Sequence, residues 1–122
     1  MVEISVQLKN AEQIRNFLQS RPQETKHQLN LAIAKTVKSV EAETKRRTPV
    51  DTGRLRTSIQ SREFPSALEG EVGTRVVYAI IQHENLHFRH RVGEAKFMEN
   101  AVRHLESKIQ GFFLQVMENV IR

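Results

Sequence analysis

Twelve consecutive residues, Thr48 to Ile59 (TPVDTGRLRTSI), limit most strongly what this chain can fold into. Proline lacks an N–H and disfavours helical backbone at the residue before it, so Pro49 predicts the end of any helix that reaches Thr48. Asp51, Thr52 and Gly53 supply turn chemistry. Asp51 is read as an Asx-type turn residue, and Gly53 is expected at a positive φ where the chain reverses. Beyond it, Leu55, Thr57, Ile59 and Ser61 alternate with Arg54, Arg56, Ser58 and Gln60, which predicts a strand with one polar face.

A long helix should lead into this block. Leu29, Ala32, Ile33, Thr36, Val37, Val40 and Thr44 recur at spacings of three and four, so the pattern predicts a helix from about Pro22 to Arg47. Before it, Val2, Ile4, Val6 and Leu8 alternate with polar residues as in a half-buried strand. Asn10 with Gln13, and Ser20 with Gln23, have the spacing of capping boxes, with a short helix between them. After the block, Leu68, Gly70, Val72 and Thr74 alternate, predicting the second arm of an antiparallel hairpin. Val76 to Ile81 reads as a buried strand, with Tyr78 a core residue, and Asn85 to Glu94 as a long polar loop. From about Ala95 to Ile121, Met98, Ala101, Val102, Leu105, Ile109, Phe112, Phe113, Val116, Met117 and Val120 keep helical spacing throughout. The chain is therefore expected to be one domain over residues 1–122, of α/β (α+β) class. Its parts are a small, mainly antiparallel sheet against two long helices, with a short N-terminal strand and helix.

Composition narrows the chemistry. There is no cysteine, which excludes disulfides, thiolate metal sites and thiol catalysis. No apolar run approaches the roughly 18 residues of a membrane span, and MVEISVQLKN lacks the basic-then-apolar order of a signal peptide. The net charge of +5 is unevenly placed. Residues 35–62 hold eight Lys/Arg against Glu41, Glu43 and Asp51, and elsewhere the signs balance. Such a segment suits an acidic partner, either nucleic acid or an acidic protein surface. It equally suits a solvated helix end, since Lys45, Arg46 and Arg47 would complement the helix dipole. With one tyrosine and no tryptophan, base-stacking platforms are scarce.

One cluster could hold a metal. His83, Glu84 and His87 match the His-Glu-x-x-His spacing of helical zinc sites, with His90 and Glu94 nearby. The flanks oppose this: Leu86, Phe88, Arg89, His90 and Arg91 read as an irregular basic loop after a strand rather than an amphipathic catalytic helix. No nucleophile–base pair or phosphate-cradling glycine loop stands out. No catalytic residue, cofactor site or metal site is assigned.

The order of these pieces resembles the tail-component proteins of tailed bacteriophages, variously described as minor capsid, neck or tail-completion proteins. The resemblance runs from about residue 25 to 120. It is carried by Thr48, Pro49, Val50, Asp51, Thr52, Gly53, Leu55, Arg56, Ser58 and Ile59, then by Val72, Gly73, Thr74, Tyr78, Ala79 and Glu84, and finally by Phe97. It implies a non-enzymatic virion protein assembled in the bacterial host cytoplasm. Such a protein, from a phage or prophage, would act where head and tail meet, often as a ring, against other connector or tail proteins. The residues expected to meet partners are Lys45, Arg46, Arg47, Arg54, Arg56, His87, Arg89, His90 and Arg91, with Pro49, Asp51, Gly53 and Tyr78 as structural motif residues. The alternatives are a nucleic-acid-binding module using residues 35–62 and a metal-dependent hydrolase using His83, Glu84 and His87.

Overall fold

Helix α2 spans Pro22–Arg47, the bounds that its apolar periodicity and the downstream proline dictate. A computed structural model describes residues 8–48, 53–73, 78–82, 87–91 and 96–121. The expected N-terminal strand falls largely outside them, as do Pro49, Asp51, His83, Glu84 and Glu94. The described elements are α1 (Ala11–Ser20), α2, α3 (Gly53–Ser58), β1 (Gln60–Phe64), a 3₁₀ turn (Pro65–Ala67), β2 (Glu69–Gly73), β3 (Tyr78–Gln82), β4 (His87–Arg91) and α4 (Lys96–Ile121).

The four strands form one antiparallel sheet in the order β1-β2-β3-β4. Helix α2 is the centre of the domain, packing on β1 and β2 with one side and along α4 with another. Its stripe of Leu29, Ala32, Ile33, Thr36, Val37, Val40 and Thr44 is buried throughout. On α4, Met98, Ala101, Val102, Leu105, Ile109, Phe113, Val116 and Val120 are buried. Each helix thus has a three-and-four stripe facing a neighbour, which is the usual source of helical stability in a globular protein. Ile59, Leu68 and Val72 complete the core from the sheet side.

Leu68 closes the β1–β2 connection in a left-handed conformation, φ 52 and ψ 52. Leucine is disfavoured there, but its side chain is buried in the core, so packing opposes the backbone cost. Gly73 has φ 149, which suits glycine.

Four expectations change. Gly53 opens α3, so residues 53–58 are helical and the strand begins only at Gln60, not at Leu55. The expected loop of residues 85–94 contains a strand, His87–Arg91. Asn10 makes no side-chain cap; its Nδ2 instead donates to the Phe113 carbonyl at 2.9 Å, tying the start of α1 to α4. Ser20 is the last residue of α1 and donates to Asn16, while Arg21 stands at the N-cap of α2. Arg21 also reaches across the fold. Its Nη1 donates to the Val120 carbonyl at 2.8 Å, placing a cation at the end of α4, whose last turn has no basic residue of its own.

Candidate partner surface

The basic residues before the turn are already partnered. Lys45 Nζ lies 3.2 Å from Glu41, and Arg47 Nε donates to Glu43 at 3.0 Å. Arg46 donates to Glu43 through both Nε, at 2.9 Å, and Nη2. These are pairs three or four residues apart on one helix, a spacing that the sequence alone displays. His104 Nε2 of α4 stands 3.8 Å from the same Glu43 oxygen. Glu43, with 12% of its side chain exposed, is thus the hub of the α2 C-terminus. Hydrogen bonding from Arg46, helped by Arg47, holds its carboxyl at about 2.

Glu41 has a second task. Burial alone would raise its pKa, but hydrogen bonds from the Ser61 hydroxyl and backbone N–H, together with Lys45, bring it below the ordinary value. Ser61 is in β1, so this carboxylate ties α2 to an edge strand and occupies an N–H on that edge. Asn30 Nδ2 similarly donates to Pro65 O at 3.3 Å, just beyond β1. A polar group of α2 therefore covers part of this edge, and a second holds the turn that follows it.

Arg56 departs furthest from its expected role on a polar strand face. It lies in α3, half-buried, and its Nη2 donates to the Thr48 carbonyl at 2.7 Å. Thr48 is the C-cap of α2, extended at φ −70 and ψ 133, as a residue before proline should be. Its own hydroxyl donates to Thr44 O at 2.7 Å. Arg56 therefore secures a helix C-terminus, where a cation is favoured. Its Nε is buried without a hydrogen-bond partner, as is the Thr44 hydroxyl. The side chain of Arg54 is not among those described.

The second basic group is in β4. Antiparallel pairing sets Tyr78 opposite Arg91, Ala79 opposite His90, Ile80 opposite Arg89 and Gln82 opposite His87. Tyr78 is also paired with Gly73, so the two motif residues are backbone neighbours. His87 is a strand residue, whereas a His-Glu-x-x-His zinc site requires a helix. Among the described residues, no three of His, Cys, Asp and Glu are grouped to hold a metal.

The sequence pattern of the family described as "Bacteriophage HK97-gp10, putative tail-component" matches residues 12–86. That span covers more than half of the chain, from the start of α1 past β3. The chain belongs to the HK97-gp10 tail-component family. It is a structural bacteriophage protein and a virion component. No curated protein and no solved structure matches it. In this family member the motif Thr48 to Ile59 joins α2 to the sheet through Thr48 and Arg56, a structural role that needs no ligand. No described helix is long and apolar enough to cross a membrane.

Proposed function

We propose that this protein acts at the head–tail junction, as a neck or tail-completion component that joins other connector or tail proteins and forms a ring in the virion. The observation that supports this is the unequal treatment of the sheet edges. On β1, Glu41 of α2 bonds to Ser61, and Asn30 of α2 bonds to Pro65 just past the strand's end. On β4, no strand among the described residues pairs with the far side, and that strand reads His-Phe-Arg-His-Arg. An unpaired edge is a template for main-chain pairing with another protein, and the arginines favour an acidic one. Arg54, Arg91 and His90 are the residues proposed to contact it, joined by His87 and Arg89. Lys45, Arg46 and Arg47 contribute less, because Glu41 and Glu43 already offset them.

The test is complementation of a phage lacking this protein. Arg54→Glu with Arg91→Glu is expected to leave the purified protein folded but to yield unjoined heads and tails in electron micrographs. Normal plaque yield from that folded variant would reject the contact. Tight DNA binding that weakens steeply with salt, and is lost in the same variant, would favour the nucleic-acid alternative instead.

A further inference from the structure

A shallow cleft runs between α2 and α4 on the side away from the sheet. Ile33 and Val37 of α2 meet β2 at Gly70. Leu31 and Lys35 stand two positions before them, about 200° round the helix, and so face outward. Together with Gln28 they line the cleft from α2, while Phe112, Gln115 and Asn119 line it from α4. The floor is apolar. Ala32 and Val116 are buried beneath it, Phe112 is half-buried, and Leu31 is 45% exposed. A single exposed leucine needs no explanation; the charge arranged about this one does.

The two ends of the cleft differ. At one end, Asn119 Nδ2 donates to Gln28 Oε1 at 2.9 Å and Gln115 Nε2 donates to Asn119 Oδ1 at 3.1 Å, so a relay of amides bridges the helices. Glu24 and Glu118 are exposed beside it. At the other end stand Lys35, Lys38 and Lys108, all exposed. The pairs Gln28–Asn119 and Glu43–His104 fix the antiparallel register of the helices. That register sets Lys35 near the level of Phe112 and Lys38 near that of Lys108. Among the described residues, no carboxylate pairs with any of these three lysines. Glu41 is held by Lys45 and Ser61, and Glu43 by Arg46 and Arg47.

We propose that this cleft docks an amphipathic helix of another virion protein, whose apolar stripe covers Leu31 and Phe112 and whose acidic residues lie at the lysine end. A helix laid in the groove of two packed helices is an ordinary mode of recognition. Charge complementarity selects its chemistry. Lys35 and Lys38 on one helix and Lys108 on the other border the apolar floor, so acids on both margins of the incoming stripe find partners. A basic helix would be repelled there. A second copy of the chain would bring a net charge of +5 to a face that is already basic. Nucleic acid would satisfy the lysines but leave Leu31 without an apolar partner, and half-buried Phe112 is a poor stacking platform. This surface is separate from the β4 edge and does not rest on the head–tail reading.

Fluorescence anisotropy of labelled synthetic peptides with the purified full chain tests the proposal. The probe is a lactam-constrained helix with leucines at three-and-four spacing and glutamates bordering them in one half. One control scatters the leucines, and a second replaces the glutamates by lysines. The probe should bind, less tightly as salt is added, and both controls should bind at least about tenfold less tightly. Lys35→Glu combined with Lys108→Glu should weaken the probe at least about tenfold and should bind the lysine peptide better than the wild type does. Leu31→Gln should weaken the probe at every salt concentration, because it removes the apolar anchor. Lys26→Glu, exposed on the opposite side of α2 from Lys35, should change its affinity by less than about twofold. Should the double reversal unfold the chain, Lys35→Gln with Lys108→Gln replaces it, with a smaller loss expected. Equal binding of the probe and the scattered-leucine peptide would overturn the proposal. So would a folded double reversal that binds the probe like the wild type. A DNA duplex bound more tightly than the probe and lost in the same variant would also overturn it, in favour of nucleic acid. Wild-type self-association abolished by Leu31→Gln would do so in favour of a second copy.

Discussion

Gly70 of β2 and Val37 of α2 approach so closely that a Cβ on the glycine would lie 2.6 Å from Val37 Cγ1. The Ile33 Cγ2 methyl would be 2.9 Å away. Absence of a side chain at this position lets the helix sit down on the sheet. Gly70→Ala is therefore expected to destabilise the protein by about 1–3 kcal/mol through overpacking. Val37→Ala alone should also destabilise it, by opening a cavity. The double variant should lose less than the sum of the two, as urea denaturation of all four proteins would measure.

Arg56 offers a test that separates a structural from a surface role. Its bond to the Thr48 carbonyl serves the C-terminus of α2. Arg56→Ala is expected to cost about 1.5–3 kcal/mol, the range for a hydrogen bond to a charged group. Arg56→Glu should cost more, because it brings a negative charge to the negative end of the helix dipole. Melting temperatures unchanged by both substitutions would return Arg56 to the exposed surface.

The carboxyl of Glu43 gives stability a defined acid dependence. Its folded-state value of about 2 lies below the ordinary 4.5, so the unfolded chain binds the proton more readily. The stabilisation is fully present above about pH 4.5 and is lost as the pH falls towards 2. Glu43→Gln should therefore melt below the wild type at neutral pH, with the difference closing over that acidic interval. A constant difference across the interval would show that the pairs with Arg46 and Arg47 contribute nothing.

At Gly111, within α4, a Cβ would meet no atom within 4 Å apart from its chain neighbours and the backbone of its own helix. Glycine in a helix interior costs about 0.5–1 kcal/mol relative to alanine. Gly111→Ala should raise stability by that amount in chemical denaturation, with the oligomeric state unchanged. A loss of stability would mean that a partner subunit packs against this position.

The sequence by itself determined the two long helices, the β2 arm and the family. Apolar residues at three-and-four spacing over some 25 residues admit one reading, and Pro49 needs no tertiary context to end a helix at Thr48. Shorter stretches did not carry that information. Positions 55 and 59 are four apart, which fits one turn of helix as well as two strand repeats, and the fold chose helix for Gly53–Ser58. The five residues of β4 have no apolar alternation, because backbone pairing with Ile80, Ile81 and their neighbours makes the strand. Asn10 carries the signature of a helix cap, yet its amide is bound by a carbonyl 103 residues away. The free or paired state of the basic residues likewise depended on folding. Glu41 and Glu43 are within reach of Lys45, Arg46 and Arg47 along the helix, but only the approach of β1, α3 and α4 brought Ser61, Arg56 and His104 to the same helix end. Local periodicity decides what a segment becomes, whereas the satisfaction of buried polar groups depends on residues that meet only in the folded chain.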